Sequence, residues 1–361
     1  MSLSRKAVAW AASATFVAAG AAGVAIAVHA AHDQTPLRIV SISPAAGSSD
    51  VNGAGEITVT YNQPPPATAP PPVISPATGG SWHRSGDTMV FTPTSGFPAG
   101  TRVTVTAHAT NNTADEEAGI SPPKSASFQT GTYKTLRLQQ ALAQLGYLPM
   151  TWTPAKAAAP AANARDQLSA AYAPPAGSFT LQPGYPTQLS SFWKQGADNT
   201  LDKGAITAFE ADHKLPDDGV VGPTVWKALL SAAAANQRNT HGYSYAIATQ
   251  STPESLTIWH NGAKVFSSLA NTGISDAPTA HGTFPVYEKL PFQIMQGTNP
   301  DGSHYADPVP WVSYFNGSEA VHYFDRGSYG WPQSLGCVEL PYDAAKTAYQ
   351  YLPEGTLVTV D

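Results

Sequence analysis

The spacing of hydrophobic residues changes twice along this chain of 361 residues. Apolar and polar residues alternate in short runs from 37 to 130, and again from 242 to the end. Between 133 and 235 the apolar residues recur instead every three or four positions. A period of two is typical of strands and a period near 3.6 of helices. The chain is also long enough for two or three domains. We therefore predict a multidomain protein with a β segment, an α segment and a second, mostly-β segment.

The first segment, residues 37–130, is predicted to be a β-sandwich. Runs such as Ile57–Tyr61 alternate cleanly between turns that are rich in proline and glycine. Two proline triplets, Pro64–Pro66 and Pro70–Pro72, must lie in loops or at a sheet edge, because proline cannot donate to a strand ladder. The phrases Ser43-Pro44 and Phe97–Thr101 resemble bacterial immunoglobulin-like (Ig-like) modules of the cell envelope, which implies a spacer.

The second segment, residues 133–235, is predicted to be a small all-α bundle with a long insertion, residues 149–200. Its first helix carries an apolar stripe and ends at Gly146. A second helix is expected to begin with Asp202 as N-cap, and a third with Gly222-Pro223. The segment resembles the small helical peptidoglycan-binding domain, which implies a glycan ligand. That resemblance is carried by Leu138-Gln139-Gln140, Leu145-Gly146-Tyr147, Ala205–Phe209 and Asp218–Thr224.

The third segment, residues 243–361, is predicted to be mostly β with one C-terminal helix. Asn261-Gly262 between two apolar runs is a strong hairpin signal. Further strands are expected at 282–288, 311–315, 320–323 and 357–360. The helix is expected at 342–351, ended by the Pro-Glu-Gly turn at 353–355.

The N-terminus predicts export. Arg5 and Lys6 precede an uncharged run from Ala7 to Val28, and Val28-His29-Ala30 fits a cleavage site. Residues 1–33 are thus a signal peptide that is cleaved or a membrane anchor that is retained, and both place the rest of the chain outside the cytoplasm. Only 12% of the residues are charged, the net charge is −6, and no Lys/Arg run occurs, which argues against a nucleic-acid partner.

Cys337 is the only cysteine of the chain. A single cysteine in an exported protein indicates an intermolecular disulfide or a reactive thiol, whereas a lone cysteine can also be a small buried hydrophobe. The preceding Gly336 would let a substrate approach the backbone closely. His322, a short loop upstream, is the best candidate base, and the N–H groups of Gly336 and Cys337 could form an oxyanion hole. No Cys or His pair has the spacing of metal ligands, so we expect neither a metal nor a cofactor.

Residues 243–361 resemble the catalytic domain of the L,D-transpeptidase (YkuD-type) family. The matching residues are Asn271-Thr272-Gly273, Gly282–Tyr287, Val309–Val312, His322, Ser334, Gly336, Cys337 and Gly355-Thr356. The resemblance implies that Cys337 attacks a tetrapeptide stem of peptidoglycan, with His322 as base. It further implies that the Tyr323 carbonyl orients the imidazole, that Gly336 contributes to the oxyanion hole and that Ser334 supports the site.

Four further residues, Trp311, Tyr314, Trp331 and His281, are candidates for the substrate site. The sequence departs from the family pattern at Leu335, where a second histidine is usual, and at Glu339, where Arg or Asn is common. Asp325-Arg326 is interpreted as a solvated loop pair.

Three functions stay open: an L,D-transpeptidase, an L,D-carboxypeptidase that uses the same thioester, and a non-catalytic peptidoglycan-binding protein of the envelope. In each case we expect a monomer whose partners are stem peptides and glycan.

Overall fold

The computed structural model describes residues 37–109, 124–155, 160 and 162–361. The predicted signal or anchor, 1–33, lies outside the described residues. None of the helices within the described ranges combines the length and the apolar character needed to cross a membrane.

The first segment forms two facing antiparallel sheets. Its strands are β1 (Ile39–Ser43), β2 (Ile57–Tyr61), β3 (Val73–Ser75), β4 (Gly80–Ser85), β5 (Thr88–Pro93), β6 (Arg102–Ala107) and β7 (Lys124–Gln129). The sheets have the orders β1-β2-β5-β4 and β3-β6-β7. Val59 from one sheet and Val103 from the other are fully buried in one core. Both proline triplets lie between β2 and β3, outside the strands, as predicted.

The second segment mixes helices with a small sheet. Its elements are α1 (Thr135–Leu145), β8 (Met150–Pro154), α2 (Ala164–Tyr172), β9 (Gly177–Leu181), a 3-10 turn (Thr187–Phe192), α3 (Thr200–Asp212) and α4 (Pro223–Ala235). Gly146 ends α1 with a left-handed φ of 84°, and α4 opens at Gly222-Pro223, so both of those predictions are confirmed.

Two predictions for this segment are corrected. The N-cap of α3 is Asn199, whose side chain accepts the Asp202 N–H at 3.0 Å, so Asp202 lies in the first turn. The segment is also not an all-α bundle, because β8 and β9 pair within the insertion. Its helices share one hydrophobic core with Tyr245 and Leu357 of the third segment. The α3 backbone lies so close to that segment that a Cβ at Gly204 would meet the Gly355 carbonyl oxygen at 2.6 Å.

The third segment contains two sheets and one helix. Its elements are β10 (Ser244–Thr249), β11 (Ser255–His260), β12 (Ala263–Leu269), β13 (Gly282–Pro285), β14 (Glu288–Thr298), β15 (His304–Asn316), β16 (Glu319–Tyr323), β17 (Val338–Leu340), α5 (Tyr342–Tyr351) and β18 (Leu357–Val360). The sheet orders are β12-β11-β10-β18-β13 and β14-β15-β16-β17. Both sheets and α5 contribute to one core.

Local signals in this segment were read correctly. The hairpin at Asn261-Gly262 is present, and both residues have positive φ, at 50° and 77°. Helix α5 has the predicted bounds. The long β14–β15 hairpin was missed, apart from the part of β15 predicted at 311–315.

Candidate active site

Strands β16 and β17 bring the predicted nucleophile and base into one cavity. The strands run parallel, with His322 paired to Glu339 in the register. Cys337 directly precedes β17, and Phe324 directly follows β16. All four side chains line a cavity of about 510 Å³, called here the cysteine cavity.

The β14–β15 hairpin forms another wall of the cysteine cavity. Met295 pairs with Asp307, and Gln293 pairs with Val309. Because side chains alternate between the faces of a strand, these pairs and Tyr305 share one face. All five residues line the cavity.

His322 is held as a neutral imidazole with a defined tautomer. Its Nδ1 lies 2.8 Å from the carbonyl oxygen of Tyr323. A carbonyl can only accept a hydrogen bond, so Nδ1 carries the proton and Nε2 keeps a free lone pair. The side chain is 3% exposed, and this burial lowers the pKa of His322 below its ordinary value, against the opposing effect of the Tyr323 bond. His322 is therefore ready to accept a proton through Nε2.

Burial favours the protonated thiol form of Cys337. Its Sγ lies 3.6 Å from the Ser318 carbonyl oxygen, and no hydrogen bond to His322 is formed among the described residues. Burial raises the pKa of the Cys337 thiol to about 12, and the nearby carboxylates Glu339 and Glu319 act in the same direction. Burial therefore favours the thiol form of Cys337 and the neutral form of His322 in the same cavity.

The turn before Cys337 is fixed by Ser334. The Ser334 hydroxyl donates to the Cys337 carbonyl oxygen at 2.6 Å and accepts the Gly336 N–H at 3.2 Å. Gly336 has a φ of 111°, a region that side chains rarely adopt. Because its N–H is engaged by Ser334, the predicted oxyanion contact would require this N–H to turn toward the substrate.

Residues 244–360 match the family model of the L,D-transpeptidase catalytic domain. Residues 33–130 match the model of a bacterial Ig-like domain. Neither match extends into residues 131–243, so a peptidoglycan-binding domain there stays a prediction. No curated protein matches the chain.

Solved structures with similarity to this chain include three L,D-transpeptidases. The one from Mycobacterium smegmatis is 16% identical, covers 91% of this chain and 100% of its own, and has a TM-score of 0.31. L,D-transpeptidase 3 from Mycobacterium tuberculosis is 14% identical, covers 90% of this chain and 98% of its own, and has a TM-score of 0.31. The catalytic domain of the E. faecium L,D-transpeptidase is 24% identical, covers 33% of this chain and 96% of its own, and has a TM-score of 0.30.

Arg326 is an unpredicted member of the site in this L,D-transpeptidase-type domain. Its Nε and Nη2 donate to the two carboxylate oxygens of Glu339, both at 2.8 Å. Nη2 also donates to the Gln333 carbonyl oxygen at 3.0 Å, and the guanidinium lies over the Phe324 ring at 4.6 Å. The interpretation of Asp325-Arg326 as a solvated pair is therefore wrong for Arg326. Its partner is 13 residues away in sequence, beyond the reach of a local pattern.

The predicted substrate residues do not all reach the cysteine cavity of the transpeptidase-type domain. Tyr314 lines it, as does Leu335. Trp311 instead packs against Tyr342 and Tyr349 of α5. Two further candidates also lie outside the cavity lining: Trp331 is 44% exposed, and His281 lines a separate pocket beside Asp361. Within the described residues, no three His, Cys, Asp or Glu side chains gather in a way that could hold a metal.

Proposed function

We propose that this protein is an exported L,D-transpeptidase that crosslinks peptidoglycan through a thioester on Cys337. One observation carries the proposal: the sole thiol and a neutral imidazole of fixed tautomer line one cavity, inside a domain that matches the transpeptidase family. The substrate would be a tetrapeptide stem, cleaved at the L-centre carbonyl of its diamino acid.

The chemistry follows from the two neutral groups. As the Cys337 sulfur attacks the carbonyl, its proton moves to Nε2 of His322, so that thiolate and imidazolium form together. The imidazolium then protonates the departing amine of D-Ala, which leaves the acyl-thioester. An acceptor amine attacks the thioester and gives its proton to the regenerated imidazole. The C–S bond then breaks, and the imidazolium returns the proton to the Cys337 sulfur. Backbone N–H groups near Gly336 and Cys337 are proposed to stabilise the oxyanion.

A carbapenem tests the nucleophile, because it is a strained acyl donor for an active cysteine. We expect the full-length protein to gain the mass of the drug on Cys337, and the Cys337→Ala variant to gain none. Tetrapeptide stems then separate the two enzymatic functions. Crosslinked dimers support the transpeptidase, whereas free tripeptides alone would indicate the carboxypeptidase. If the protein shows neither an adduct nor turnover, the non-catalytic function is supported.

We also propose that the second segment binds the glycan of the wall and that the Ig-like segment acts as a spacer. A cavity of about 720 Å³ lies between the helices and strand β13. Aromatic rings of Tyr133 and Trp226 line it together with the polar side chains of Asp198 and Asn199. Rings and hydrogen-bonding groups side by side suit a sugar, which has both C–H faces and hydroxyls. Such a module would raise the local concentration of catalyst on an insoluble substrate.

Cosedimentation with insoluble peptidoglycan tests this second proposal. Trp226→Ala and Asp198→Ala should each reduce the bound fraction, without any effect on the carbapenem adduct at Cys337. Asp198 is exposed, so its replacement should leave folding intact. Trp331→Ala is the matched control, because Trp331 lies outside the lining of both cavities. Unchanged binding by both variants would contradict the proposal.

A further inference from the structure

Glu339 is the carboxylate placed beside the catalytic imidazole by strand pairing. In the parallel register it is the direct partner of His322, and both side chains line the cysteine cavity. The Glu339 side chain is 5% exposed, so water screens its charge poorly. A buried carboxylate in this position favours a positive charge on the imidazole.

Arg326 opposes that effect. Its two bonds to Glu339 form a bidentate pair, and its contacts with Gln333 and Phe324 hold the guanidinium in place. These contacts connect the loop between His322 and Cys337 to strand β17. The pair has no net charge, yet its two members act on the imidazole with opposite sign.

We propose that Glu339 and Arg326 are a pair of positioning residues that sets how readily His322 holds the proton of Cys337. Glu339 stabilises the imidazolium that forms when the thiol proton moves to Nε2. Arg326 limits this stabilisation, so that the imidazole stays neutral before substrate arrives. The proton balance is simple: one S–H bond breaks, one N–H bond forms, and the site keeps its total charge. This inference rests on the Cys–His chemistry proposed above.

Other ionisable groups lie in or beside the same cavity. They are Cys337 beside β17, Glu319 at the start of β16, and Tyr305, Asp307 and Tyr314 on β15. Glu319 is engaged elsewhere, since it accepts the Ala280 N–H at 2.9 Å and the Asn316 amide at 3.0 Å. Glu339 and Arg326 are the two charges that bear on the His322 imidazole.

The test is a direct titration of His322 in the full-length protein. Histidine labelled with ¹³C at the ring is followed by NMR across about pH 4 to 9, the range in which imidazoles titrate. The His322 signal is assigned by its loss in His322→Gln. We expect Glu339→Gln to lower the midpoint by roughly 0.5 to 1 pH unit, because it leaves Arg326 unopposed. Arg326→Gln should raise it by a similar amount, and the double variant should return close to the wild type.

Opposite shifts of the His322 midpoint in the two single variants distinguish this role from a purely structural one. A structural role would not make the direction of the shift depend on whether a negative or a positive side chain is removed. Two controls are expected to leave the midpoint in place: Arg326→Lys, which keeps the charge, and Asp87→Asn, which removes an exposed carboxylate between β4 and β5 of the first segment. Shifts in the same direction, or no shift, would overturn the proposal. Circular dichroism reports folding, and if Glu339→Gln does not fold, the direction of the Arg326→Gln shift decides. The titration uses no stem peptide, so its failure is distinct from a failure of the proposed transfer reaction.

Discussion

The Ser334 hydroxyl donates a 2.6 Å hydrogen bond to the carbonyl oxygen of Cys337, three residues further along the chain. The Ser334 hydroxyl oxygen also accepts the N–H of Gly336, so one buried side chain closes the turn that presents the thiol. Sequence reasoning gave Ser334 only a supporting role, and the structure shows two specific contacts through which it can support.

Replacing Ser334 with Ala should reduce both stability and acylation. The change leaves the Gly336 N–H and the Cys337 carbonyl without this partner, which should cost about 1–3 kcal/mol of unfolding free energy. We expect the rate of carbapenem acylation to fall about tenfold as the turn loosens. Urea unfolding and mass spectrometry measure the two effects. Ser191→Ala, which removes an exposed hydroxyl bonded within its own turn, should change neither.

Alkylation of Cys337 by iodoacetamide should depend on pH as a protonated thiol does. Because the pKa of Cys337 is raised to about 12, the thiolate fraction is small at neutral pH and grows with each unit of rising pH. We therefore expect slow alkylation near pH 7 and a rate that still climbs above pH 10. Mass spectrometry over time gives the rates. A plateau reached by about pH 8 would show that the resting site already holds a thiolate–imidazolium pair.

Replacing Gly336 with Ala should strain the same turn. Its φ of 111° is unfavourable for any side chain, although the nearest atom to an added Cβ is a Glu319 carbon at 3.7 Å. The cost is therefore conformational, about 1–2 kcal/mol, and not steric. Chemical denaturation measures it. Gly327→Ala is the control, because Gly327 has no positive φ and no atom within 4 Å of an added Cβ.

Asp202 should make the fold less stable as pH rises. Burial raises the pKa of Asp202 to about 7, from an ordinary value of 3.8. Because the pKa is higher in the folded state, Asp202 contributes to the unfolding free energy fully below pH 4. This contribution is lost as the pH rises from about 4 to 7. Asp202→Asn cannot ionise. Over this pH range its unfolding free energy should therefore fall by roughly 2–4 kcal/mol less than that of the wild type. Thermal unfolding at several pH values tests this, and parallel curves for both proteins would contradict it.

Features encoded by neighbouring residues were predicted well. The turn at Asn261-Gly262 depends on two residues that tolerate positive φ, and α5 depends on a short apolar stripe beside a proline. The start of α3 was misplaced because Asn199 and Asp202 are both good caps, and the choice depends on the backbone. The β14–β15 hairpin was largely missed because β14 has no buried residue and contains Pro291, which cannot donate to a strand ladder.

The sequence by itself determined the order of strand-rich and helical segments, and it singled out Cys337 and His322. These features depend on periodicity and on residue counts, which are properties of the linear chain. Only the tertiary structure decided which charges surround the pair. Parallel pairing of β16 with β17 puts Glu339 beside His322, and the loop between these strands returns Arg326 to Glu339. Contacts between residues distant in sequence arise when strands pair, so no local pattern could have announced them.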